Sequence, residues 1–267
     1  MEVTNHKFKL ISGVECEVKE LTGKQQRILT ENNGKTTDEK FALMIQSILV
    51  RVGSVINPDL VFIDNLLSGD RKKILEEARK FSMRGTEQAN LFIFNFPYTD
   101  AKGNKQKHEL DVELTEGFPV KPYKTIVDGV ETIVDVDDYS KIEKEVYTIL
   151  PRSGKKVRFY LLDGNREKVG ASVKKEARSS HTTIMMRNPQ YFEKGEGGSE
   201  TPVQVNLDKL ALVDIEHLRK LIDNVEGGVD TIVEFEHPEA ARLPQHEKTV
   251  KADLLAQTAF FFPSEAI

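Results

Sequence analysis

Six histidines, His6, His108, His181, His217, His237 and His246, are the first side chains to test for metal or base chemistry. No two stand at His-x-x-x-His or His-x-x-Glu spacing, so the helix face of a zinc protease is not spelled out. His217 follows Glu216 on a helical stretch and reads as solvated or half-buried. Asp135-Val136-Asp137-Asp138-Tyr139-Ser140 begins like a calcium loop. It lacks the Gly at the sixth position and the Glu at the twelfth, so an acidic strand end is the better reading. Gly23-Lys24 and Gly154-Lys155 lack the upstream Gly and the following Ser or Thr of a phosphate-binding loop. Arg178-Ser179-Ser180-His181 places a hydroxyl beside an imidazole in sequence only, and no oxyanion motif follows. Asp70 and Asp214 each stand near a helix start, where an acid caps N–H groups and complements the helix dipole. No catalytic, cofactor-binding or metal residue is assigned. The expectation is a protein that is not an enzyme and carries no cofactor.

Composition narrows the class. Charged residues make up 30% of the 267 and the hydrophobic set 39%, as in a soluble globular chain. A net charge of −5 disfavours a general nucleic-acid binder. The basic clusters Arg71-Lys72-Lys73, Lys155-Lys156 and Lys174-Lys175 are short, lie close to acids and read as solvated faces. The single Cys16 excludes an internal disulfide and a Cys-rich zinc site, and fits a reducing cytoplasm. The N-terminal residues show no apolar core of a secretory signal. No apolar run approaches the ~20 residues of a membrane helix.

The elements that must position any surface follow a repeated plan. Ser12-Gly13, Gly23 and Pro97 recur as Ser153-Gly154, Gly164 and Pro238 at an offset of 141. Ile63-Asp64-x-Leu66, followed by Asp70, Ile74 and Ala78, recurs as Leu207-Asp208-x-Leu210, followed by Asp214, Leu218 and Ile222, at an offset of 144. Phe118-Pro119 and Phe262-Pro263 share that second offset. His237 takes the place of Phe96, which favours packing over ligation. Two copies at this spacing point to paired domains and not to a solenoid. Residues 1–120 are read as the first α+β copy, 121–143 as a β-hairpin arm or linker, and 144–267 as the second copy. Each copy is expected to be a small antiparallel sheet with helices on one face.

Within the first copy, Phe8 to Val18 reads as a hairpin turning at Ser12-Gly13. Thr22 with Gln25, and Thr36 with Glu39, are capping boxes that open helices over about 23–32 and 37–52. A helical turn lies within Leu60 to Leu67, and a helix capped by Ser68 or Gly69 runs over about 69–82. Leu91 to Phe96 is apolar on both faces and is expected as a central strand, with His108 to Leu114 returning. The second copy repeats the order: a hairpin over Thr148 to Phe159, helices over Asn165–Ala177, Thr182–Asn188 and about 214–225, a strand over Val229–Glu236 and a return over Lys251–Thr258. Lys124 to Val134 has a strand, an Asp-Gly turn and a strand, a strong hairpin signal.

Leu150-Pro151-Arg152-Ser153-Gly154-Lys155 with its aromatic-ended strand, Glu167, and Leu207-Asp208-Lys209-Leu210 with Asp214-Ile215-Glu216-His217-Leu218 resemble the baseplate hub subunit and tail assembly proteins of T-even-type contractile-tailed phages. The first half resembles them as a diverged copy. The sequence departs from the pattern in having no cysteines after the strands at Phe92 and Val233, which removes a metal site. The resemblance implies a structural or assembly role in a phage tail, with no catalytic residues. Partners would be other hub, tube or tape-measure and wedge proteins in a symmetric hetero-oligomeric assembly, with no nucleic acid and no membrane. The location would be host cytoplasm during assembly and then the virion baseplate. A tail assembly chaperone absent from the mature virion, and a nucleic-acid-binding module of paired β domains, are the alternatives. The residues expected to make contacts are exposed ones: Ile126, Val127, Val130, Ile133 and Val134 of the arm, Gly197 and Gly198 of a Gly-rich loop, and Phe260, Phe261 and Phe262 near the C-terminus. Docking of that aromatic run into its own domain is the competing reading.

Overall fold

Strict alternation makes the first strands. In the computed structural model, which describes residues 5–31, 34–127, 130–172, 181–194 and 200–262, His6–Lys9 (β1) and Glu15–Val18 (β2) pair antiparallel with Phe8 opposite Cys16. Val14, Cys16 and Val18 are buried, with Glu15 and Glu17 on the other face. Burial pushes the Cys16 thiol pKa far up, so the sulfur behaves as an apolar packing atom. Both capping boxes are formed. The Thr22 N–H donates to Gln25 Oε1 at 2.8 Å before α1 (Gly23–Thr30), and the Thr36 N–H donates to Glu39 Oε2 at 2.7 Å before α2 (Thr37–Ile48).

The helix expected over 37–52 stops at Ile48, and Leu49–Val52 is a strand (β3) paired to β2 with Cys16 opposite Val52. Helical apolar spacing runs on through Val52, but Val50 and Val52 are β-branched and the edge of β2 offers backbone partners. Gly53, at φ +54, turns the chain into Val55–Ile56 (β4). Leu60–Asp64 (α3) is capped by Asp59, which accepts from the Phe62 N–H at 2.8 Å. Ser68–Met83 (α4) buries Ile74, Leu75, Ala78 and Phe81, as its spacing predicts.

Leu91–Thr99 (β5) is not central. Among the described residues it pairs only with Lys105–Glu113 (β6), from Leu91 opposite Glu113 to Thr99 opposite Lys105. Phe92 and Phe94 are buried on one face, while Ile93 is 49% exposed on the other. The apolar content thus serves ring packing, with Phe94 and Phe96 against Phe235, and not flanking strands.

Three short strands connect this half to the next: Val120–Lys121 (β7), Lys124–Val127 (β8) and Val130–Ile133 (β9). There follow Glu145–Ile149 (β10), Lys156–Tyr160 (β11), Gly164–Ser172 (α5), Thr182–Met185 (α6), Gln190–Lys194 (β12), Glu200–Gln204 (β13) and Leu212–Val225 (α7). Gly228–Val229 (β14), Ile232–Glu236 (β15), Thr249–Asp253 (β16) and Thr258–Phe261 (α8) follow in the described residues. The fold is α+β with small antiparallel sheets; the described residues form two of four strands in sequential order, β1-β2-β3-β4 and β10-β11-β12-β13, and four of two strands.

Asp70 and Asp214 do not cap their own helices. The N-cap residues are Leu67 and Ala211, neither with a side-chain cap bond. Each carboxylate instead reaches the turn of a hairpin: Asp70 Oδ1 accepts the Ser12 N–H at 3.1 Å, and Asp214 Oδ1 accepts the Arg152 N–H at 2.7 Å. The start of α4 is served by the connecting segment. The Leu67 N–H donates to the Tyr139 hydroxyl, and the Gly69 N–H donates to the Tyr123 hydroxyl at 2.7 Å.

The segments 1–120 and 144–267 are joined through the backbone. The Ser68 N–H donates to the Leu162 carbonyl at 2.9 Å, and β7 pairs with β14, Val120 opposite Val229. The Arg71 guanidinium meets the Glu167 carboxylate, and one continuous buried cluster runs from Leu10 to Phe261. Gly227 sits where β7, β8 and β14 converge. A Cβ there would lie 2.5 Å from the Tyr123 nitrogen and 2.8 Å from the Lys121 carbonyl oxygen, both backbone atoms. Gly227→Ala should therefore part the β7–β14 pair and destabilise the protein by roughly 1–3 kcal/mol, as overpacking with backbone shifts does. A urea titration that found the variant as stable as the parent would contradict this packing.

Candidate interaction surface

The alternating segment at 124–133 folds back on itself as its sequence predicts. β8 and β9 pair from Lys124 opposite Ile133 to Val127 opposite Val130; Asp128 and Gly129, the expected turn, lie outside the described residues. The hairpin is mounted on α7. Lys124 Nζ reaches Asn224 Oδ1 at 3.0 Å and Glu131 Oε2 at 3.1 Å, and the Asn224 amide donates to Glu131. Hydrogen bonds from Lys124 and Asn224 hold the Glu131 carboxyl below the usual carboxylate range. At the base, the Val134 N–H donates to the Tyr123 carbonyl at 2.9 Å, and β8 lies against β10 and α7. The arm is thus a positioned element.

Its side chains divide by exposure. Val130 and Ile133 are 64% and 58% exposed. Ile126 is half-buried against the core, and Val134 is buried. Val127 contributes its backbone to β8, and its side chain lies outside the described residues, as do Gly197 and Gly198.

The C-terminal aromatic run is not exposed. Phe260 and Phe261 are buried in α8, and Phe262 is half-buried against the same core. The Phe260 ring meets Phe92 at 5.3 Å and Phe118 at 5.7 Å, and the Phe261 ring meets Phe41 at 6.0 Å. Arg79 Nε donates to the Phe260 carbonyl at 2.7 Å while its guanidinium lies 4.5 Å over the ring. The pocket that claims the run is built from Phe41, Arg79, Phe92 and Phe118 of the 1–120 segment.

Beneath the arm lies a polar group in the core. Asp70 is fully buried, and burial raises its carboxyl to about 6, partly offset by hydrogen bonds from Ser12. Burial, with the Asp70 charge beside them, also raises the hydroxyls of Tyr123 and Tyr139. These three side chains tie the opening hairpin, the start of α4 and the connecting segment into one unit, a structural use of titratable groups.

Three of the histidines pack against or pair with neighbouring side chains. His6 bonds Glu77 at 2.9 Å and stacks on Phe81, His217 bonds Thr148 at 2.9 Å, and His237 lies edge-on to Phe96 at 5.5 Å. Among the described residues, no three His, Cys, Asp or Glu side chains are grouped to hold a metal ion. Among them, too, no helix is long and apolar enough to cross a membrane.

Sequence reasoning passes over one surface, the outer face of β10, β11 and β12. Tyr147, Lys156, Arg158, Tyr160 and Phe192 share it by alternation and register. The Tyr147 and Phe192 rings stack 6.4 Å apart at 21°, and Lys156 Nζ lies 5.0 Å over Tyr147. The signal was the alternation Lys156, Arg158, Tyr160, hidden when the lysines are counted as one solvated pair. Lys155 lies over Tyr191 at 4.2 Å, and among the described residues neither lysine has a carboxylate partner.

Fold and surface together define an α+β protein of small antiparallel sheets that holds a hairpin arm out on a fixed mount. No family model matches the chain, and neither a curated protein nor a solved structure matches it.

Proposed function

We propose that this chain is a structural or assembly component of a bacteriophage tail baseplate, in the hub region, acting through protein–protein contacts. The observation that carries the reading is the arm: two β-branched apolar side chains, Val130 and Ile133, are held in solvent on a hairpin braced against α7. Isolated apolar residues are ordinary on surfaces, but a braced edge strand with open backbone groups is a template for strand addition by a partner. The sequence motifs around Leu150 and Asp214 supply the phage-tail assignment.

We further propose that the two halves descend from one duplicated unit. Support comes from the shared order of hairpin, helices, hairpin and long helix, and from Asp70 and Asp214 each holding the turn of an opening hairpin. Because β7 pairs with β14, each half now completes its packing on the other.

Mass spectrometry of purified virions tests the assignment. The expected result is this chain at a small fixed copy number. Absence from particles, with presence in infected-cell lysate, would replace the virion role with that of an assembly chaperone. The arm is tested by Val130→Ser with Ile133→Ser. Exposed substitutions cost little, so folding stability should stay within about 0.5 kcal/mol per site. Incorporation into particles should fall at least tenfold, and unchanged incorporation would remove the arm from the interface.

A further inference from the structure

Charge is distributed unevenly along this chain. Residues 144–194 hold 12 Lys and Arg against 5 Asp and Glu, a net of +7 inside a protein of net −5, so the remaining residues sum to −12. The described residues of this stretch, 144–172 and 181–194, hold 9 Lys and Arg against 4 Asp and Glu and build β10, β11, α5, α6 and β12. A modestly acidic whole therefore carries a cationic body, the local footprint that matters for polyanion binding.

The aromatic side chains on that body are arranged for planar partners. On the outer face, Arg158 stands opposite Tyr147 on one side and Gln190 on the other. Its guanidinium lies 5.2 Å from the Tyr160 ring centre and 5.3 Å from that of Phe192. Arg166 lies 4.3 Å over Tyr160. Tyr147 is 42% exposed, Lys155 and Lys156 are exposed, and Tyr160 and Phe192 are half-exposed. Glu145 and Asp163 pair with Arg158 and Arg166, and both lysines remain without a carboxylate among the described residues.

The other four-stranded sheet provides a comparison within the molecule. Its corresponding face sets Lys7 opposite Glu17 and Lys9 opposite Glu15, with Arg51 3.7 and 3.8 Å from Glu15 and Glu17. That face is charge-compensated and, among the described residues, carries no ring. The aromatic and cationic character of β10–β12 is therefore not a requirement of the sheet architecture.

We propose that the outer face of β10, β11 and β12 binds single-stranded nucleic acid. Tyr147, Tyr160 and Phe192 are the platforms on which bases stack, and Lys156 and Arg158 face the phosphates. Rings on an open sheet reach only unpaired bases, because duplex bases are already stacked. An acidic protein segment would meet the cations but would leave the ring faces without a repeating planar partner. The inference is independent of the arm and of the phage-tail assignment.

The experiment is fluorescence anisotropy of the full chain with a fluorescein-labelled oligothymidylate of about 12 nucleotides, a length within the range one such sheet covers. The matching oligouridylate, a duplex of the same length and polyglutamate are compared. The expected result is binding of the single strands in preference to the duplex. Affinity should fall with salt at a log–log slope of about −1.4, as for two cations on a single strand. Tyr147→Ala and Phe192→Ala should each weaken binding roughly tenfold, and Lys156→Gln should lower the salt slope by about 0.7. Arg51→Gln, on the compensated face, should leave binding unchanged. Circular dichroism melting of each variant separates lost binding from lost folding. No binding at low salt up to roughly 100 µM protein, the weak end of non-specific affinity, would overturn the proposal. So would binding that the two ring variants leave intact, or equal competition by polyglutamate, which would mark an acidic protein as the occupant.

Discussion

Replacing Phe260 by alanine should lower the melting temperature by roughly 10 °C. A buried Phe→Ala substitution costs about 3–5 kcal/mol through lost transfer energy and the cavity left behind. In a chain of this size each kcal/mol moves the midpoint by about 2–4 °C. The site resists collapse around the smaller side chain, because its neighbours are held independently. Phe92 is fixed in β5, Phe118 has its N–H bonded to Glu76 at 3.0 Å, and Arg79 donates to the carbonyls of Gln88, Ala89 and Leu91 as well as to that of Phe260. Helix α8 has four residues, too few to form without docking, so the variant should also release the segment after Gln257 to proteases. Were this aromatic run a patch for a partner, the melting temperature of Phe260→Ala would match the parent and only assembly would suffer. Calorimetry on the isolated chain separates the two outcomes.

Local chemistry was the most legible part of this sequence. Thr22 with Gln25 and Thr36 with Glu39 announce helix starts because a capping box depends on residues three apart and on nothing distant. The arm was legible for the same reason. What failed to show was context. Leu49–Val52 continues a helical pattern, and only the open edge of β2 decides for strand. Phe260 and Phe261 look like an unclaimed apolar end until α4 and β5 supply a pocket from far earlier in the chain. Asp70 and Asp214 stand where caps stand, yet their carboxylates serve hairpins that the sequence places about 60 residues away. The β10–β12 face was obscured by averaging, since a net charge of −5 conceals a stretch of +7.

Asp70→Asn should flatten the pH dependence of stability and make the protein more stable than its parent above pH 7. Burial raises the Asp70 carboxyl to about 6 in the folded chain, against about 3.9 when unfolded. Between those values the folded state binds the proton more tightly, so stability is full below about pH 4 and is lost as pH rises through 6. A difference of two units corresponds to about 3 kcal/mol, lost by pH 7. Asparagine retains an oxygen to accept the Ser12 N–H, now at 3.1 Å, and removes the charge. Its amide occupies the place of Oδ2, which has no hydrogen-bond partner. Burial raises the Glu167 carboxyl too, and that group adds the same sign of slope to both proteins, so the difference between variant and parent isolates Asp70. Urea titrations at pH 4 and pH 7.5 give the answer. A variant less stable than the parent at pH 7.5 would mean that the Ser12 turn and the two tyrosine hydroxyls stabilise the carboxylate by more than its burial costs. Asp70 would then be a charged clasp on the opening hairpin and not a buried acid kept neutral below pH 6.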